Sequence, residues 1–96
     1  MLDRDVSEKL SVFTIQISEK LNESIAFVHD HAPKESYESY RKVIATVIST
    51  LYLDIQERLW RDYPELRPVG MKNGTYEVDP KIFEPRFYEP KGEFAE

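Results

Sequence analysis

Apolar residues recur at Val6, Leu10, Phe13, Ile17, Leu21, Ile25 and Val28 in steps of three and four, the spacing of one face of an α-helix. The pattern predicts a helix from Asp5 to Asp30, with Asp5 as its cap and Glu8 as the partner in a capping box. Ile15 and Phe27 lie off the stripe, so the covered surface is expected to be wider than one seam. Pro33 ends this helix, because the residue before a proline is pushed out of the α region and the ring breaks the hydrogen-bond ladder. Proline also suits the first position of a following helix.

A second pattern runs through Tyr37, Tyr40, Ile44, Val47, Ile48, Leu51, Ile55 and Leu59 and predicts a helix over Glu35 to Tyr63, about 43 Å long at about 1.5 Å per residue. Pro64 stops it. Its centre, Val43 to Ile55, is apolar or small almost all the way round, and a second stripe carries Thr46, Ser49, Thr50, Leu53 and Trp60. A helix that is apolar on more than one stripe must be covered on more than one side. Only one other long helix is on offer, and the short link from His31 to Lys34 makes the two antiparallel neighbours. The expected fold is therefore mainly α: a helical hairpin domain over residues 1–64 that pairs with a second copy into a dimeric four-helix bundle. Ile44, Val47, Ile48, Leu51, Leu53, Ile55 and Trp60 are the expected interface.

Beyond Pro64 the character changes, since five of the six prolines and all three glycines fall in residues 64–96. Residues 65–96 read as an extended tail docked on the bundle. Asn73-Gly74 is a type I′ turn signal between short segments, which predicts a short β-hairpin. Ile82, Phe83, Phe87 and Tyr88 sit between prolines as apolar anchors. They are expected to strap the helices at the Trp60 end, because four bulky apolar side chains left in water are a solubility liability.

Length and composition narrow the function. With 96 residues, 41% hydrophobic and 32% charged, the chain suits one soluble domain with a thin core. The net charge is −5 and there is no cysteine, so neither a basic surface for nucleic acid nor thiolate chemistry is expected. The N-terminus carries acids where a signal peptide would be basic. The longest apolar run, about 13 residues, is short of the roughly 20 a membrane span needs. A cytoplasmic protein with no membrane partner is expected.

Candidate chemistry is sparse. His29-Asp30-His31 has ligand types suited to zinc, but side chains at i,i+2 on a helix diverge, and the cluster reads as solvated residues that suit a helix C-terminus. Glu19, Glu23, Asp54 and Glu57 are placed on polar faces without a histidine or nucleophile beside them. No metal, cofactor or catalytic residue is expected. Tyr37, Tyr40, Tyr52 and Tyr63, with Trp60, combine apolar area with polar tips; most are expected to cover the ends of the small helical core, with the tail over Trp60, and a binding surface made of the four tyrosines is the alternative. The functional expectation is a non-catalytic, homodimeric interaction or regulatory module with a protein partner. Two other classes compete with it: an acidic immunity protein or antitoxin that blocks a basic partner by electrostatic attraction, and a small-molecule or metal-binding enzyme.

Overall fold

The computed structural model describes residues 2–90, and within them the chain is mainly helical. Helix α1 spans Arg4–His31. After Ala32 and Pro33 the chain reverses into α2, Lys34–Thr50, which runs on through a π-helical segment, Leu51–Gln56, into α3, Glu57–Asp62. Residues 50, 51, 56 and 57 all keep right-handed helical angles, so these three pieces form one continuous rod. Single 3₁₀ turns follow at Pro64–Leu66 and Pro80–Phe83.

The caps differ in detail from the sequence expectation. Asp3, not Asp5, caps α1, its carboxylate accepting the Val6 amide at 2.9 Å. Glu8 leaves the cap alone and bonds Arg4 and Tyr76 instead. Pro33 sits one position earlier than expected, as the residue before α2, with its carbonyl accepting from the Tyr37 amide.

The seam between the rods is made of small and polar side chains. Ser7, Ser11, Thr14 and Gln56 are buried there, beside Ile25 and Ile44. Gln56 Nε2 donates to Thr14 Oγ1 at 3.1 Å, Thr14 Oγ1 to the Ser11 carbonyl at 2.9 Å, and Trp60 Nε1 to Ser11 Oγ at 2.9 Å. These three buried donors thereby find acceptors, without which each would cost free energy. Small side chains let the helices approach closely, since interaxial distance follows the residues at the contact.

The π segment decides which residues face this seam. The Glu57 amide reaches back five residues to the Tyr52 carbonyl, so one extra residue is taken up in the turn. Everything after it is rotated back by about one position, or about 100°. Gln56 therefore turns inward where the plain period places Ile55, and Ile55 is exposed. Trp60, which the plain period puts on the outer stripe with Thr46 and Ser49, is only 2% exposed and sits in the core with Leu59 and Leu66.

The tail closes this core and then returns along α1. Leu66 is fully buried, Met71 and Tyr76 pack on the cluster, and the Arg67 guanidinium lies 5.5 Å from the Trp60 ring centre. Asn73 has φ 64°, as a tight turn requires, but its flanks meet in a single bridge of parallel sense between Pro68 and Tyr76. No strand forms among the described residues. Gly74 is needed for contact reasons, because a Cβ there would lie 1.7 Å from the Pro68 carbonyl oxygen.

Candidate interaction face

Two faces of α1 have distinct tasks, and the apolar one is left uncovered. Counting about 100° per residue, Phe13, Ile17 and Leu21 lie on the same flank of α1 as Ser24, beside the Ser7–Ser11–Thr14 seam rather than in it. On the second rod Val43 and Val47 lie on the same flank as Tyr40. The Tyr40 hydroxyl donates to Ser24 Oγ at 2.9 Å, which ties these two flanks together. Exposed Phe13 of α1 and exposed Val43 and Val47 of the second rod therefore share one face of the hairpin. Phe13 is 54% exposed, Val43 60% and Val47 44%, and Val6 and Ile55 are exposed as well.

Along the α1 side of this face runs an open groove of about 520 Å³, lined by Phe13, Gln16, Ile17, Lys20, Leu21, Ser24 and Phe87. Its far wall belongs to the tail. Gln16 Nε2 donates to the Ile82 carbonyl at 2.6 Å, and Lys20 Nζ to the carbonyls of Phe83, at 3.1 Å, and Pro85. Glu23 Oε1 accepts the amides of Phe87 at 2.5 Å and Tyr88 at 3.2 Å. These three residues at i, i+4 and i+7 share a helix face and all bind tail main chain, so the tail runs parallel to α1.

Glu23 corrects the expectation of a solvated carboxylate, being only 2% exposed. Its Oε2 has no hydrogen-bond donor, and the nearest cation is Arg86 Nε at 3.8 Å. At the end of α1, Phe27 packs edge-on against Phe87 and Tyr88 and stacks on His31. The Tyr88 hydroxyl donates to Asp30 Oδ2 at 2.6 Å, and this bond to a carboxylate pushes the phenol up to about 12. At the other end the Tyr76 hydroxyl donates to Glu8 Oε2 at 2.8 Å. That bond, with Arg4 behind it, holds the Glu8 carboxyl below its ordinary value and raises the Tyr76 phenol.

The residues expected at an interface are dispersed. Val47 and Ile55 are exposed on the face just described, Ile48 and Leu51 are half-buried, and Ile44 and Trp60 are buried within the chain. Leu53 is exposed and lines a separate shallow depression with Ala45, Thr46, Ser49, Thr50 and Asp54. Of the aromatic set, Tyr37 and Tyr40 lie near the reversal, where Tyr37 meets the His29 ring. Tyr52 packs beside Trp60 in the core cluster, and the Tyr63 hydroxyl donates to the Leu2 carbonyl. The four tyrosines thus form no single surface.

His29 and His31 diverge: His29 Nδ1 lies 3.0 Å from Asp30 Oδ1, while His31 Nδ1 lies 3.0 Å from the Phe27 carbonyl. Among the described residues no three His, Cys, Asp or Glu side chains are grouped to hold a metal ion. No helix among them is long and apolar enough to cross a membrane. The α1 contribution to the apolar face, Phe13, Ile17 and Leu21, is absent from the expected interface. The signal for it lies in Ser7, Ser11 and Thr14, a small-residue stripe at i, i+4 and i+7 that competes with the apolar stripe for the seam.

Comparison of the chain with protein-family models, curated proteins and solved structures finds no match.

Proposed function

We propose that this chain is a non-catalytic protein-interaction module that self-associates through the apolar face shared by α1 and the second rod, giving a dimeric four-helix bundle. The observation that carries the reading is the combination of exposed Phe13, Val43, Val47 and Ile55 on one side of the hairpin. Contiguous exposed apolar surface of this kind marks a site for association. The small, polar seam supports it too. The rods are joined through Gln56 with Thr14 and Trp60 with Ser11, while Phe13, Val43, Val47 and Ile55 lie outside that seam.

Light scattering on the full chain tests the reading, with twice the chain mass expected at micromolar concentration. A double substitution, Val43→Asp with Val47→Asp, should give a monomer with unchanged helical content, since both side chains are exposed within one chain. A wild-type chain that stays monomeric and folded up to about 100 μM, which corresponds to association weaker than about −5.5 kcal/mol, sinks the reading.

A further inference from the structure

We propose that the two copies pair about a twofold axis parallel to the helices, so that Val43 and Val47 of each copy fill the groove formed by Phe13, Ile17, Leu21 and the tail residue Phe87 of the other. The inference deepens the self-association reading and rests on it, and it names the residues that meet.

The face is divided into unlike halves. The α1 half carries the groove of about 520 Å³. The α2 half carries Val43 and Val47, a pair at i,i+4 that stands as a ridge on the helix surface. Ridge and groove are self-complementary only if α1 of one copy lies over α2 of the other, because the alternative axis, perpendicular to the helices, sets groove on groove and ridge on ridge. A twofold with its axis along the helices makes the first arrangement and fills both grooves at once.

The levels along the rods place the ridge within the length of the groove. Helices of equal rise carried from the Tyr40–Ser24 hydrogen bond put Val47 level with Ile17, and carried from the Gln56–Thr14 bond they put it level with Glu23, about 9 Å further along α1. Val47 therefore lies level with the stretch from Ile17 to Glu23, and Val43 with the stretch from Leu21 to Phe27. An axis parallel to the helices preserves these levels, so Val47 of one copy arrives over Ile17 and Leu21 of the other and Val43 over Leu21 and Ser24, beside Phe87. Ile55 falls near the Phe13 end of the groove.

The dimensions are adequate. The molecule extends 45 × 25 × 21 Å, so a long face offers roughly 900–1,100 Å², against about 800 Å² per partner in a standard interface. The tail is part of the site rather than a bystander. Phe87 is 57% exposed, its ring packs on Phe27, and its amide is held by Glu23, so a docked tail presents a fixed apolar wall to the second copy.

The chain has no cysteine, which makes paired cross-linking a clean test. Full-length Val47→Cys chains, mixed with Ile17→Cys or with Leu21→Cys chains and gently oxidised, should in at least one mixture give a disulfide between the two variants in several-fold excess over either homodimer. Phe87→Ala should raise the dimer dissociation constant about tenfold, as loss of an apolar anchor does, with helical content unchanged. Homodimers of Val47→Cys in excess, or no cross-link while light scattering still reports dimer, overturn the pairing and leave the self-association reading standing. An unchanged dissociation constant for Phe87→Ala overturns the part assigned to the tail. A monomeric wild type removes both.

Discussion

Glu23 holds the main chain of Phe87. Its carboxylate, buried against α1, accepts the amides of Phe87 and Tyr88 from a segment more than sixty residues further along the chain. Because it is the buried acceptor for the tail's own backbone, Glu23→Ala leaves two amides to find water and frees Arg86 from its nearby carboxylate. The expected loss is about 1.5–3 kcal/mol, the range for hydrogen bonds to a charged group. Hydrogen exchange should quicken at Phe87 and Tyr88 and stay slow in α1. Equal protection at both amides in wild type and variant would count against the clamp.

Trp60 and Ser11 form the corresponding contact at the other end of the molecule. Ser11→Ala removes the acceptor for a fully enclosed indole N–H, which should cost about 1–3 kcal/mol in urea unfolding followed by Trp60 fluorescence. In a double-mutant cycle with Trp60→Phe the coupling should be favourable by about 0.5 kcal/mol or more, as for residues in direct contact. Simple additivity would show that the bond contributes nothing.

The Tyr88–Asp30 bond makes the tail sensitive to alkali. The phenol is pushed up to about 12 in the fold, against about 10 in an unfolded chain. A raised value means that the fold favours the protonated phenol, so the contribution is complete below about pH 10 and is lost as pH climbs through about 12. Tyrosinate absorbance should therefore show Tyr88 titrating late, alongside Tyr76, which its bond to Glu8 also raises. Asp30→Asn should bring Tyr88 back toward the ordinary range and leave Tyr76 raised, and an unaltered titration curve would refute the assignment.

At the opposite end the sign reverses. Tyr76 and Arg4 hold the Glu8 carboxyl below its ordinary value, so their contribution is present above the normal carboxyl range and fades as pH falls toward the lowered value. Tyr76→Phe should flatten the fall in melting temperature between about pH 5 and 3, where carboxyl groups titrate. Matching acid profiles for the two proteins would contradict this.

Gly74 has no room for a side chain. In Gly74→Ala the new Cβ meets the Pro68 carbonyl, so the loop must open and give up the bonds from the Thr75 and Tyr76 amides to the Arg67 carbonyl. A destabilisation on the order of 1–3 kcal/mol is expected, as for other enforced backbone strain. Asn73→Gly, which keeps the left-handed φ available, should leave the melting temperature within a degree or two, a change on the order of 0.5 kcal/mol. Tolerance of Gly74→Ala would mean that the loop rearranges freely.

The sequence by itself determined the two long helices, the reversal at Pro33, the stop at Pro64 and the change to an extended tail. These follow from period, proline geometry and turn chemistry, which act within a few residues. It also marked the second rod as too apolar to be covered by one neighbour. What tertiary structure decided was the rotation of each helix. On α1 the close approach permitted by Ser7, Ser11 and Thr14 took the seam and displaced Phe13 and Ile17 to the flank. On the second rod a single extra residue in the π turn carried Trp60 and Gln56 inward and Ile55 outward, a shift that no fixed period along the chain contains. Glu23 became a buried clamp for the same reason: a carboxylate on a polar face looks solvated until a segment more than sixty residues away brings its backbone amides to it.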